Sequence, residues 1–413
     1  MTHTRMVSPW YRPLLLVLLG IFLLIAAQGT GVLFFARIGY LIIGVVCGAA
    51  LWAFLGVAGL TITRTLQTPR VMTGEYVREQ ILVANQFPWQ RGIVEILDDT
   101  TFMRHMTGFV VTLAAHQQRQ RTWRTIAQIR GTYVMGPTYI VGSDPFGLFR
   151  IERRFTSMQQ LIVVPAPQAM PLPSIGKDVI SGRPQVVRQI AAHAPTIMSI
   201  REYRPGDAVS RIHWRSSAKR GNLMLKEGNH EPGAHIWLVY DAQRQSHAWV
   251  DHTSIPMPMP SDDSTEEYAI HVLANLADAW LRAGHAVGLC MHGSERVVLA
   301  PQRTISHRIA IFDALAAMRA VGDVALDDVL VHLDAYNAAH TSVCVVTSRG
   351  DARWVPVLQE VSGRGGDVSA VLIDAASFAA PHDCLASEQA LVEANIPHTV
   401  VVRGMALSGV VWR

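Results

Sequence analysis

The chain has 413 residues, half of them hydrophobic and only 16% charged, with a formal net charge of +4. That length allows two soluble domains beside a membrane segment, and the apolar balance is what a short anchor on a soluble body would give. So small a charge does not argue for a nucleic-acid binder, and the four scattered cysteines, with no C-x-x-C pair, exclude a disulfide framework and a zinc pattern.

Two apolar runs open the chain, over residues 10–28 and 38–62, with Gly29, Thr30 and Gly31 marking a bend between them. At 1.5 Å per residue the first reaches roughly 28 Å, and the second can span a bilayer with some tilt. Trp10 and Tyr11 stand where interface anchors belong, and Trp52 is a third amphipathic aromatic. Arg5 and Arg12 precede the first run, Arg64, Arg70 and Arg78 follow the second, and only Arg37 lies between. The positive-inside rule then puts both ends in the cytoplasm, so the expectation is a multi-pass protein of the cell membrane with cytoplasmic soluble domains. The competing expectation is a cleaved signal peptide ending near Ala26-Ala27-Gln28.

Residues 63–165 alternate apolar and polar positions in short runs separated by turn signals, which predicts a β-sandwich-like middle domain. Strands are expected over 75–84, 92–97, 108–114, 122–129, 131–135, 139–142 and 161–165, with turns at Gly136-Pro137 and at 142–145. In SDPFGLFR (143–150), Asp144-Pro145 starts a turn, and Phe146, Leu148 and Phe149 are expected to plug a core. Residues 166–195 are rich in Pro and read as a linker.

The most informative stretch is SIREYRPGDAVSRIHWRSSAKRGNLMLKEGNHE, beginning at Ser199. Pro205-Gly206 sets a tight turn, Asp207 stands where an N-cap belongs, and a short basic helix leads into a strand-like LMLKE. The candidate partner-binding residues are Arg201, Tyr203, Arg204, Asp207, Arg211, Trp214, Arg215, Lys219 and Arg220. A purely structural reading packs Ile212 and Trp214 on the sheet and lays Arg stems over apolar surface. The functional reading makes a basic face for an acidic protein partner, or for anionic lipid beside a tethering membrane; RNA is disfavoured for want of stacking aromatics.

This stretch and SDPFGLFR together resemble the signatures of the DUF58 family of bacterial and archaeal membrane proteins. The resemblance implies a von Willebrand factor A-like C-terminal domain. It also implies a MoxR-type AAA+ ATPase as partner, in assembly or maturation of envelope components.

From 196 to 413, apolar strand runs (235–240, 285–291, 342–347, 368–373, 398–402) alternate with helical patterns (266–283, 306–319, 324–337, 352–361, 387–394), and 297–300 reads as an edge strand. That alternation predicts a mainly parallel sheet covered on both faces. Many A-like domains hold a divalent cation through D-x-S-x-S after the first strand. Here Asp241-Ala242-Gln243-Arg244-Gln245 keeps only the Asp, and Thr347-Ser348-Arg349-Gly350 puts an Arg where a carboxylate is expected. A hard cation needs several oxygen ligands, so no metal or other cofactor is expected. His247 and His252 fall in a polar, Pro-rich insertion that reads as a flexible loop.

With no P-loop, H-E-x-x-H or G-x-S-x-G motif, no catalytic residue is assigned. The expectation is a non-enzymatic membrane adaptor divided into 1–62 (two transmembrane helices), 63–165 (β-rich), 166–195 (linker) and 196–413 (α/β). The alternatives are a hydrolase or transferase with its site near Asp241, or a metal-dependent adhesion module of the A-type.

Overall fold

The computed structural model describes residues 3–6, 11–102, 108–173, 199–202, 214–227, 235–248, 264–334, 341–364 and 366–413. The chain divides into two compact units, one over Met1–Ala166 and the other over most of the remainder.

Helices α1 (Tyr11–Thr30) and α2 (Leu33–Val57) are each long and apolar enough to cross a membrane. Leu15, Phe22, Ile25 and Leu41 face outward, which a helix buried in a soluble core would not allow. The two helices approach closely at small residues: a Cβ on Gly20 would lie 2.9 Å from Ile43 Cγ1 and 3.3 Å from Gly39 O. The second run ends earlier than the hydropathy suggests. Gly59 has φ +69°, and Leu60–Leu66 becomes strand β2, whose alternating Thr61, Thr63 and Thr65 favour an extended backbone.

The first unit continues as two sheets. One holds β1 (His3–Met6), β3 (Arg70–Met72), β5 (Arg91–Thr100), β6 (Phe109–Leu113), β8 (Gly131–Ser143), β9 (Arg150–Phe155) and β10 (Gln159–Val164). The other is β2 with β4 (Tyr76–Asn85) and β7 (Gln118–Ile126). Leu60, Ile81 and Val83 of the smaller sheet share a core with Val94, Ile96, Leu113 and Ile140 of the larger, so the inward faces meet as in a sandwich. Arg64 crosses that core, bonded to Glu79 at 2.6 Å and to Asp98, with all three side chains fully buried.

Two expectations for this unit need correction. The Gly136-Pro137 turn does not form, because β8 runs unbroken from Gly131 to Ser143. Its first half pairs with β10 and its second half with β9, and the change of partner falls at Gly136 (φ +99°) and Pro137, which has no N–H to donate. In SDPFGLFR, Phe146 is no core plug; it is 66% exposed.

Of the expected linker, residues 167–173 are fastened to the second unit. The Gln168 N–H donates to Asn275 Oδ1 at 2.6 Å, Trp412 Nε1 donates to Pro171 O, and Met170 is buried. The rest of that segment, 174–195, lies outside the described residues.

The second unit carries a small antiparallel pair, β11 (Ser199–Glu202) and β12 (Met224–Glu227), with helix α3 (Trp214–Arg220) before β12. Its main sheet runs β15-β14-β13-β16-β17-β18. The strands are β13 (His235–Tyr240), β14 (Ala286–His292), β15 (Arg296–Gln302), β16 (Thr341–Thr347), β17 (Val368–Ile373) and β18 (His398–Val401). All neighbours are parallel except β15, which closes one edge antiparallel to β14.

Helices α4 (Thr265–Arg282), α5 (Ile305–Ala317), α6 (Leu326–Asp334), α7 (Val355–Gly363) and α8 (Leu385–Glu393) alternate with the strands. Trp237 and Val239 pack with α6, α7 and α8 residues such as Leu330, Leu358 and Leu391. Period-two alternation turns Ile236, Leu238 and Tyr240 to the other face, and α4 contacts the sheet without joining that cluster. A sheet apolar on both faces must be covered on both, as the strand pattern predicts.

Candidate functional site

Strand β13 leads to β14 and β15 on one side, and the chain then returns to β16 on the other. The carboxyl ends of β13 and β16 therefore flank the point where the crossovers diverge, the position at which open α/β sheets form a crevice. Asp241 stands there, directly after β13, and is 1% exposed. Its carboxylate is engaged on both oxygens: Thr347 Oγ1 donates to Oδ2 at 2.8 Å and the Gln243 N–H donates to Oδ1 at 3.2 Å.

His247 is built into this cluster, which corrects its expected place in a flexible loop. It is buried, with Nε2 at 2.6 Å from Asp241 O and its ring 5.5 Å from that of Tyr240. A carbonyl only accepts, so Nε2 carries the proton, and Nδ1 faces the hydroxyls of Thr265 and Ser348 at 3.1 and 3.2 Å. The pair of Ser348 and His247 has the composition of a nucleophile and its base. Ser348, however, is fully buried and its hydroxyl donates to Ser246 O. A hydroxyl so committed has no path to a substrate.

Outside this sealed layer lies an open cavity of about 490 Å³, lined among others by Gln243, Gln245, Arg349, Asp351, His382 and Asp383. Arg349 meets two other carboxylates: Nε donates to Asp351 Oδ2 at 3.0 Å, and Nη1 lies 3.7 Å from Asp327 Oδ1. The loop beneath is fastened by Ser387 Oγ, which donates to Asp351 O at 2.8 Å, and by Trp354 Nε1, which donates to the same oxygen at 3.1 Å. Among the described residues no three His, Cys, Asp or Glu side chains gather as a metal site.

A second cavity of about 340 Å³ opens beyond the end of β14, between His292, Arg296, Asp323 and His332. Burial first, then Arg296 and His332, hold the His292 imidazole below its ordinary pKa and so favour its neutral form.

Gly322 lines this second cavity and is tied to the loop after β13. Its N–H donates to Ala242 O at 3.1 Å and its carbonyl accepts from Arg244 N–H at 2.9 Å. A Cβ there would lie 2.1 Å from His292 O and 3.1 Å from Ala242 O, both backbone atoms. Gly322→Ala is therefore expected to force the loops apart and cost about 2–3 kcal/mol. Thermal unfolding of the full chain in detergent checks this, and an unchanged melting temperature refutes the clash.

The basic segment is described only in part. Tyr203, Arg204, Asp207 and Arg211 lie outside the described residues, and for Arg201 and Arg215 only the backbone is described. Lys219 and Arg220 are exposed on α3, and Trp214 at its head is 66% exposed. Trp214 therefore does not pack on the sheet as the structural reading expects. The helix ends at Gly221 (φ +75°), and the Met224 N–H donates to Ser217 Oγ at 2.8 Å, tying α3 to β12.

Sequence reasoning reached Asp241 and the end of β16 through the A-like pattern, but missed His247 and Thr265. No local motif links those two residues, and only the return of the chain into α4 brings them together.

A family model described as "Protein of unknown function DUF58" matches residues 199–386. The uncharacterised protein YeaD of Bacillus subtilis (strain 168) is 26% identical over 131 residues, 32% of this chain, and the match spans 28% of the relative's length. Among solved structures, the CARDB domain of PF1109 from Pyrococcus furiosus matches 26% of this chain and 94% of its own, at 12% identity and a TM-score of 0.20. A β-glucosidase from Listeria innocua matches 25% of this chain and 16% of its own, at 8% identity and a TM-score of 0.18. Likenesses that low carry no argument about fold.

Proposed function

We propose that this chain is a membrane-anchored adaptor without catalytic activity, working with a MoxR-type AAA+ ATPase in assembly or maturation of envelope components. The observation that carries the non-catalytic reading is the state of Asp241, which is 1% exposed and whose two oxygens are held by the Thr347 hydroxyl and the Gln243 amide. A metal site or a general base at this edge would need a carboxylate that a ligand or substrate can reach. The open, mixed-charge cavity above suits a partner's surface better than an enclosed small substrate.

The strand order with its single antiparallel edge supports an A-like C-terminal domain. Arg12 stands in the first turn of α1 and Arg64, Arg70 and Arg78 follow α2, while Arg37 alone stands at the opposite end of the pair, near the start of α2, which favours cytoplasmic soluble units. Exposed Trp214, Lys219 and Arg220 support the basic segment as the docking face for an acidic partner.

The test is a binding titration between the full chain in nanodiscs and the ATPase. Reversing Lys219 and Arg220 to Glu is expected to weaken the complex at least about tenfold, the loss of roughly 1.4 kcal/mol. Unchanged affinity would remove this segment from the interface, and no complex with the unaltered chain would remove the ATPase itself.

A further inference from the structure

Phe146 is two-thirds exposed, yet the turn that carries it is among the most firmly held in the first unit. Buried Asp144 accepts the N–H groups of Phe146 at 2.8 Å and Phe149 at 2.5 Å, while Gly147 N–H and Phe149 O bond back to its own backbone. An apolar ring held out by so much local hydrogen bonding is a presented side chain rather than a frayed one.

The register of β8 shows which way it is presented. Arg153, paired with Ile140, donates to Val57 O at the end of α2 and to Leu60 O at the start of β2. Two residues further on, a Cβ at Gly142 would lie 2.8 Å from Val57 Cγ1 and 3.4 Å from Ala53 O, one helical turn back towards the middle of α2. From Ile140 to Gly142 the strand thus travels inward along the apolar helix, about 3.3 Å per residue, and the 144–149 turn continues in that direction.

Other aromatic groups stand at the same level. Tyr11 lies nine residues before Gly20 and Trp52 nine after its contact Ile43, so both sit about 13.5 Å from the helix crossing, and both are exposed. Trp52 is next to Ala53, which Gly142 approaches. Trp89, 44% exposed, stacks on Phe87 at 4.7 Å in the β4–β5 loop. Arg91, beneath both rings, fastens that loop to Leu55 O and Ala58 O in the last turn of α2.

We propose that Phe146 and Trp89 are seated in the headgroup–acyl boundary of the bilayer, so that the β-rich unit holds the membrane surface by its own side chains beside its two helices. This rests on reading α1 and α2 as membrane spans. The SDPFGLFR turn is then a device for placing one apolar ring at a set depth. Aromatic side chains at that depth fix tilt and rotation of the body above.

The test is nitroxide accessibility in the full chain, reconstituted in phosphatidylcholine–phosphatidylglycerol vesicles on a Cys47→Ala background. Cys290, Cys344 and Cys384 are buried, and burial pushes their thiols up to about 11, about 12 and about 11, so they stay protonated and do not compete for label. Labels go to Phe146→Cys, to Leu41→Cys on the outward face of α2, and to exposed Met158→Cys in the β9–β10 turn at the opposite end of β9. The expected result is a loss of access to an aqueous nickel chelate and a gain of oxygen access at Phe146 relative to Met158, in the same sense as at Leu41. Nickel access at Phe146 equal to that at Met158, with Leu41 still protected, would overturn the proposal and leave the spans standing; the ring would then be free in water or reserved for a protein. Nickel access at Leu41 as well would overturn both.

Discussion

Replacing Arg64 by Met is expected to destabilise the β-rich unit by about 3–5 kcal/mol, because it withdraws the Arg64 guanidinium from two buried carboxylates. Arg64 lies on β2, Glu79 on β4 and Asp98 on β5, so one guanidinium joins the two sheets at a place where all three side chains are fully buried. Thr138 Oγ1 also donates to Asp98 at 3.3 Å, a neutral hydrogen bond beside the charged one from Arg64. The effect should be local to this unit, so hydrogen exchange of the β4 and β7 amides is a cleaner readout than a whole-chain melt, which would mix two units. Neutralising the acids in the same chain, with Glu79→Gln and Asp98→Asn added to Arg64→Met, should recover a substantial part of the loss. A cost below about 1 kcal/mol for Arg64→Met alone would mean that water reaches the carboxylates and that the triad is not the dry cross-link described here.

The second large effect is expected at Trp354, fully buried at the head of α7. Trp354→Ala should cost about 3–5 kcal/mol, the usual range for removing a buried large aromatic side chain, since Leu326, Leu330, Leu358 and Leu391 around it cannot all collapse into the space. Its indole also holds Asp351 O, so the loop lining the larger cavity should loosen with it. Trp354→Phe separates the two contributions. It keeps most of the ring, and Asp351 O still accepts from Ser387, so the cost should fall to about 1–2 kcal/mol. Unfolding of the full chain, followed by exchange at β16 and β17, measures both. Equal losses for Ala and Phe would show that the hydrogen bond, not the packing, is what matters.

Much of the architecture is legible in local pattern. Apolar runs bounded by turn residues mark β13, β16 and β17, and helical spacing marks α4, because burial on a strand or one helix face leaves a period that any single stretch displays. The edge strand after β14 is legible for the same reason, whereas its antiparallel direction comes from the structure. Local pattern misleads where two environments share one composition. Leu60-Thr61-Ile62 prolongs the second apolar run, yet it opens β2 and pairs with β4 as a strand. Gly136-Pro137 has the chemistry of a turn, yet β8 passes through it because a different partner waits on either side. SDPFGLFR carries three apolar residues that look like core, and only the folded structure shows that Phe146 is exposed.

The candidate site divides in the same way. Asp241 and the residues after β16 were within reach of a pattern, because they follow strands of known order. The burial of His247 was not, since a polar insertion after a strand looks the same whether it is loose or folded back under α4.

By itself the order of amino acids determined that this protein has two apolar helices, a strand-rich middle and an alternating α/β end, because hydropathy period and turn chemistry act over a few residues. Only the tertiary structure decided that the Asp241 carboxylate is buried against Thr347 and Gln243, that Arg64 bridges two sheets, and that Phe146 is held outward. Each of those depends on groups tens of residues apart competing for the same hydrogen bonds or the same buried space, and no short window of sequence contains both competitors.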